Sequence, residues 1–271
     1  MLETVSELRS DAPSPLVLIE GRRGSVLAGA ALAQCVPGKA AVVWPPQLVE
    51  PQPLVTASTL LDELCRELAA HEVVLAQALV SAEALLDAEH LQAGGFSLLA
   101  DLLYLQASVS ATQAMPVLPF EAQPLQLGDQ KRLAAVIDRS YIGSHDCPQL
   151  DGVRSTADVL EGYRAIGVYR PELWLLLRHD GQDVGCLLLA DHPQQRQLEL
   201  IYMGFVPEAR GRGWGEALVR HAQALARSAQ RERLVLAVDA ANRPALRLYE
   251  AADFQAWDRR SIYWKLLREH S

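Results

Sequence analysis

Six consecutive residues, Arg210-Gly211-Arg212-Gly213-Trp214-Gly215, set three glycines at alternate positions among two arginines. No Cβ atoms stand in the way there, so a ligand can approach the backbone closely. From Glu216 to about Ala226 the periodicity is helical, which puts the amide N–H groups of the turn at the start of a helix. Unpaired donors and the helix dipole favour an anion at that place. Arg210 and Arg212 add fixed positive charge, so the turn suits a phosphate or diphosphate. Further along, Asn242 and Tyr249 fall on a short helix-forming stretch, and a tyrosine hydroxyl is a group that can pass a proton to a reacting atom.

Two familiar phosphate loops do not fit. The triphosphate loop ends in Gly-Lys-Ser/Thr, where this chain has Gly215-Glu216-Ala217. The dinucleotide fingerprint started at Gly211 needs glycine at the position of Glu216. The elements around the turn are a strand (LELIYMGFVP, ending in Val206-Pro207), an amphipathic helix and a buried strand from Leu234 to Val238. On that helix Trp214, Leu218, Ala222 and Leu225 recur at three- and four-residue steps, opposite Glu216, Arg220, Gln223 and Arg227. A short helix then runs through Asn242-Arg243-Pro244-Ala245-Leu246-Arg247-Leu248-Tyr249 to Asp253-Phe254.

Arg210, Gly213 and Gly215 match an Arg-x-x-Gly-x-Gly pattern, and this resembles the acyl-CoA pyrophosphate loop of the GNAT superfamily of N-acetyltransferases. The later segment resembles the superfamily's N-x-x-A-x-x-L-Y-x-x-x-G-F signature, with Asp253 where glycine is usual. Asp tolerates the positive φ needed at the end of a helix. The resemblance implies a GNAT fold, an α/β (α+β) mixed sheet, and acetyl transfer from acetyl-CoA directly to an amine, with no metal. It implies that the amides of Gly211, Arg212, Gly213, Trp214, Gly215 and Glu216 hold the diphosphate, with Arg210 beside them. Backbone groups of Met203, Gly204 and Phe205 would take the pantetheine arm, on a strand that must splay from its neighbour. Tyr249 would reach the sulphur. Asn242 either caps its helix or also reaches the pantetheine amides.

The base is a separate question. Glu199 alternates with Ile201, Met203 and Phe205, which puts it on their face of the strand and makes it a candidate, or else a solvent-facing residue. The following strand offers Ala237, which cannot act; Asp239, His145 or a water chain stay open. The loop from Tyr141 to Gly152 is polar and carries glycine and proline. Tyr141, His145 and Asp146 are candidate contacts for the acceptor amine, or the loop is solvated and its carboxylates cap turns.

The four cysteines, at 35, 65, 147 and 186, have no metal or redox spacing. No apolar run reaches the roughly 20 residues of a membrane helix, and MLETVSELRSDAP is unlike a secretion signal, so a cytoplasmic protein is expected. The net charge of −8 falls entirely in residues 1–115; residues 116–271 balance to zero, so the basic residues collect where an anionic co-substrate would need them. No basic patch interleaved with aromatics points to nucleic acid.

From Pro15 the order strand, turn, strand, strand, helix, strand, short helix, Gly-Phe, strand runs through once, and from Pro171 it recurs. The expected division is a tail (1–14), a degenerate GNAT-like half without its initial strand and two helices (15–110), a linker (111–119) and a complete catalytic copy (120–271). In the first copy the counterpart of the phosphate loop reads QLVEPQPLVTAS, without glycine, and Leu91 stands opposite Tyr249. Prolines there lack the N–H groups that would hold a phosphate. Its expected work is packing, shaping the acceptor cleft, or making the surface of a homodimer. The tandem layout is similar in outline to mycothiol synthase-type double-GNAT proteins, although the first half is truncated. The rival to an N-acetyltransferase is an acyl-CoA-binding sensor or structural protein without turnover.

Overall fold

The computed structural model describes residues 3–9, 14–49, 52–109 and 115–267. The chain divides into two compact units, one of Met1–Asp101, Gly152–Asp158 and Arg260–Ser271, the other of Leu102–Asp151 and Val159–Arg259.

In the first unit the chain runs β1 (Glu3–Arg9), β2 (Leu16–Arg23), β3 (Val26–Val36), β4 (Ala40–Leu48), α1 (Leu54–Ala70), β5 (Leu75–Ser81), α2 (Leu85–Ala93) and the start of β6 (Ser97–Ser108). Strands β1 to β4 are antiparallel neighbours, and β5 pairs parallel to β4 over Ala40–Val42 and Leu75–Gln77. The other edge of β5 is covered by Arg260–Leu266 from the far end of the chain. Along β2 every second residue is buried, so one face of this sheet takes the core. Leu60, Leu61, Leu64 and Leu68 of α1 fill it against Val17, Ile19, Ala33, Val43 and Ala78.

One expectation changes here. The stretch expected as a tail (1–14) contains β1, paired antiparallel to β2, so this unit has an initial strand after all. Residues 1–2 and 10–13 of that stretch, and 111–114 of the expected linker, lie outside the described residues. Strand β4 runs through Pro45-Pro46 to Leu48. The register against β3 shifts there, from Leu32↔Trp44 to Ala30↔Gln47, and a bulge is where prolines cost a strand no ladder bond.

The second unit runs from the rest of β6 through β7 (Glu121–Pro124), α3 (Gln130–Tyr141), α4 (Thr156–Arg164), β8 (Trp174–His179), β9 (Gln182–His192), β10 (Gln197–Phe205), α5 (Trp214–Ser228), β11 (Arg233–Asp239) and α6 (Arg243–Ala251) to the start of β12 (Gln255–Leu266). Its strands lie in the order β6-β11-β10-β9-β8-β7, and only β10 and β11 are parallel. Here β8 is buried at Trp174, Leu175, Leu176 and Leu177 in succession, which a strand covered on one face would not be. Leu175 and Leu177 join the core under α5, with Leu218, Val219 and Ala222; Trp174 and Leu176 join the core under α3, with Leu133, Val136 and Ile137.

Both units end their short helix in the same way. Gly95 has φ +76° and the Phe96 N–H reaches the Leu91 carbonyl at 3.0 Å; Asp253 has φ +64° and the Phe254 N–H reaches the Tyr249 carbonyl, also at 3.0 Å. Asp253 also takes a 2.7 Å ion pair from Arg220, on the surface. We expect Asp253→Val to lower the unfolding free energy by about 1–2 kcal/mol through the left-handed backbone. Asp253→Gly should change it by less than about 1 kcal/mol, strain relief offsetting the lost ion pair. Urea unfolding of the two variants checks the difference.

Candidate functional site

Strands β10 and β11 are hydrogen-bonded only from Gln197 to Glu199, against Arg233 to Val235. Beyond that they part, while β10 keeps its pairing with β9 as far as Phe205. A cleft of ≈ 540 Å³ opens between them, with Met203, Gly204 and Phe205 on one wall and Ala237 and Val238 on the other. Backbone N–H and C=O groups on the two parted edges have lost their ladder partners and must be met by something else. That is the splay the strand needs if an extended amide chain is to lie along it.

The glycine-arginine turn closes one end of this cleft. Gly213 is the N-cap of α5 with φ +74°, and a Cβ built there would meet no atom within 4 Å. The first-turn N–H groups have no acceptor within the helix. Open space over unpaired donors at a helix N-terminus fits a diphosphate. Arg212 lies over the Trp214 ring at 4.9 Å, and that ring packs on Phe205 and Phe120. Glu216, exposed in the first turn of α5, does not line the cleft.

Arg210 is placed differently from expectation. Its guanidinium donates to the carbonyls of Ser140 (2.6 Å), Ile142 (2.7 Å), Gly143 (3.4 Å) and Phe205 (3.0 Å). The first three belong to the C-terminal end of α3 and the residues just after it, where carbonyls lack helical partners and a cation is favoured. Its N–H donors are thus engaged by backbone, while the residue still lines the cleft. Arg210 ties the turn to the loop that follows α3.

Four polar side chains converge at the cleft, and three of them, Asp146, Asn242 and Tyr249, line it. Tyr249, only 6 % exposed, lines it, with its ring against Phe254 at 5.5 Å. Burial, and then the nearby Asp146 carboxylate, hold its phenol above the ordinary range, so it keeps its proton at neutral pH. Asn242 caps α6 by accepting from the Ala245 N–H at 3.2 Å, and its side chain also bonds the Asp146 carboxylate. Asp146 accepts the Asp239 N–H at 3.1 Å, and Asp239, which is buried, accepts the Ala241 N–H at 2.7 Å. Asp146 is open to the cleft, yet protein surrounds it closely enough that desolvation raises its carboxyl pKa above the usual carboxylate value.

Of the remaining candidates, His145 lines the cleft and is exposed. Glu199 does not share a face with Met203 and Phe205. An extra residue, Ile201, bulges between Leu200 and Tyr202 and reverses the alternation. Leu198, Leu200, Met203 and Phe205 thus face α5, while Ile201 and Tyr202 face α3. The Glu199 carboxylate meets His192 Nε2 at 2.8 Å, away from the cleft. Tyr141 is also turned from it, packed edge-on to Tyr202 at 5.6 Å and 3.5 Å from the Tyr163 hydroxyl. The carboxylate nearest Tyr249 is therefore Asp146, which in the sequence is only one polar residue of a loop. Its contact with β11 has no local signal. Among the described residues no group of His, Cys, Asp and Glu could hold a metal ion.

We expect Gly213→Ala to fold, since nothing crowds the new methyl, but to weaken coenzyme A at least about tenfold, or 1.4 kcal/mol. Isothermal titration alongside a thermal melt reads both.

A family model described as the acetyltransferase (GNAT) family matches residues 142–254. Among solved structures, a GCN5-related N-acetyltransferase from Sphaerobacter thermophilus superposes with a TM-score of 0.63 at 18% identity, covering 94% of this chain and 82% of that one. A tandem GNAT protein from the clavulanic acid biosynthesis pathway has a TM-score of 0.51 at 15% identity, with both chains covered completely. A GCN5-related N-acetyltransferase from Kribbella flavida gives 0.55 at 16%, covering 89% of this chain and 88% of that one. No curated protein matches the sequence. No helix among the described residues is long and apolar enough to cross a membrane.

Proposed function

We propose that the chain, whose residues 142–254 match the acetyltransferase (GNAT) family model, transfers an acetyl group from acetyl-CoA to a primary amine. The observation that carries this reading is the pairing of a parted β10–β11 edge with a phenol, a carboxylate and a glycine turn that all line one cleft. When bound, acetyl-CoA supplies an activated thioester carbonyl.

The chain's own groups do the rest. Amides of the turn and of the first residues of α5 hold the diphosphate. The bare edge of β10 at Met203 to Phe205 takes the amide arm, and a backbone N–H there meets the charge that develops on the carbonyl oxygen. Asp146 takes a proton from the incoming ammonium, so that the amine lone pair can form the new C–N bond. As the C–S bond breaks, the Tyr249 hydroxyl gives its proton to the sulphur, and the second proton shed by the new amide nitrogen restores the phenol. Asn242 keeps Asp146 pointed at the cleft. We assign this basic role to Asp146 rather than to Glu199, because Glu199 is engaged with His192 away from the cleft. Among the described residues the first unit carries no comparable turn: α1 begins after Pro53, with no side chain capping it, and Leu91 is buried where the second unit has Tyr249. We read it as non-catalytic.

Thioester consumption should therefore appear with acetyl-CoA and a suitable amine, and Tyr249→Phe should lower kcat about 10–100-fold with little change in the KM for acetyl-CoA. Coenzyme A binding without turnover across a broad amine panel would favour the sensor instead. The pH profile tests Asp146. A carboxyl with a raised pKa becomes a base only as pH climbs through that value, so the acid limb of kcat/KM should lie above the usual carboxylate range near pH 4. Asp146→Asn should cost roughly 10²-fold or more in kcat and remove that limb.

A further inference from the structure

The open face of the second unit's sheet carries two aromatic rings beside this cleft. Strands β6 and β11 pair antiparallel with Tyr104 opposite Ala237 and Leu102 opposite Asp239. Residues directly opposite on neighbouring strands stand on the same face. Leu105 and Leu236, one position along, face the core under α5. Tyr104 therefore points to the side where Ala237 meets the cleft. Trp257 of β12 lies edge-to-face against Tyr104, with ring centroids 5.7 Å apart at 63°. It is 56 % exposed. Ala237 is exposed too, so β11 itself presents only a methyl group beside Tyr104.

We propose that this strip holds the body of the acceptor, and that the acceptor is a primary amine bearing an aromatic ring; the inference rests on the acetyl-transfer reading above. The ammonium lies at Asp146 and the ring lies over Ala237 against Tyr104 and Trp257. Tyrosine and tryptophan present large apolar faces with few rotatable bonds, which suits them to grip a flat apolar body. A cation between carboxylates and π-faces is favoured by both. The distance agrees: Asp239, whose N–H Asp146 accepts, lies two residues from Ala237 along β11, about 7 Å away. An ammonium set off from a ring by two carbons has that reach. Tyr104 comes from β6, within the segment expected as the first copy, so that copy supplies part of the acceptor wall.

The test compares tryptamine and 2-phenylethylamine with ethylamine, which has the same ammonium and no ring, at saturating acetyl-CoA. We expect kcat/KM for the ring-bearing amines to exceed that for ethylamine at least tenfold. This ratio should fall at least tenfold in Trp257→Ala and return in Trp257→Phe, with the KM for acetyl-CoA as a control that a general disturbance would move. Titration of tryptamine into the protein saturated with coenzyme A gives a readout apart from turnover, and binding should weaken in Trp257→Ala. A ratio near one in the unaltered protein, or one that Trp257→Ala leaves in place, would overturn the inference while ethylamine turnover kept the acetyl-transfer reading alive. Absence of turnover and of coenzyme A binding would remove both.

Discussion

Two parallel strands that stop pairing partway along their length are the constraint on which the site depends. A backbone edge without its ladder partners is costly unless something else meets its N–H and C=O groups. In the second unit that edge runs from Leu200 to Phe205 and faces Ala237 and Val238 across the cleft. The bulge at Ile201 bends β10 just where it leaves β11, while pairing with β9 holds its other side. Neither half of the device works alone. A flat strand would zip onto β11 to its end, and a strand freed on both edges would have no fixed path. The glycine turn and the phenol then line the same opened cleft.

The first unit has the same parting without the chemistry. There β4 leaves β5 after Val42 and Gln77, and a cleft opens between Trp44 and Pro45 on one side and Leu79 and Val80 on the other. Pro45 and Pro46 cannot donate an N–H, so the edge that carries donors in the second unit is partly deprived of them here. The difference in burial between β2 and β8 tells a parallel story. Alternate burial in β2 goes with helices on one face, and continuous burial in β8 goes with helices on both. The lack, among the described residues, of counterparts to α3 and α4 in the first copy is therefore written in its strands as well as in its length.

Much of this was legible in the sequence, because it depends on local rules. Glycine spacing, a helix start and the Asn242–Phe254 pattern gave the turn, the cap and the placement of Tyr249. Asp253 at φ +64° took the conformation expected of the residue replacing glycine. What failed was what depends on partners distant in sequence. Strict alternation put Glu199 on the face of Met203, but one bulged residue inverted it. Charge suggested that Arg210 serves a phosphate, yet its geometry is set by carbonyls nearly seventy residues away. Asp146 had no pattern of its own, and only the fold brings it to Asp239 and Asn242.

The position of β6 and β12 bears on why a first half without a phosphate turn belongs to this protein at all. A division at 111–119 gives each copy its own last strand. The compact units instead put Leu102–Ser108 beside β11 in the second unit and Arg260–Leu266 beside β5 in the first. Take Leu102–Ser108 away and β11 becomes an open edge, with Leu236 and Val238 losing Leu105 and Ala107 from the core beneath α5. The wall of the cleft that carries Ala237 and Val238 would then have nothing behind it. The first half thus has a structural role that needs no ligand of its own: it contributes the strand that keeps β11 from being an edge.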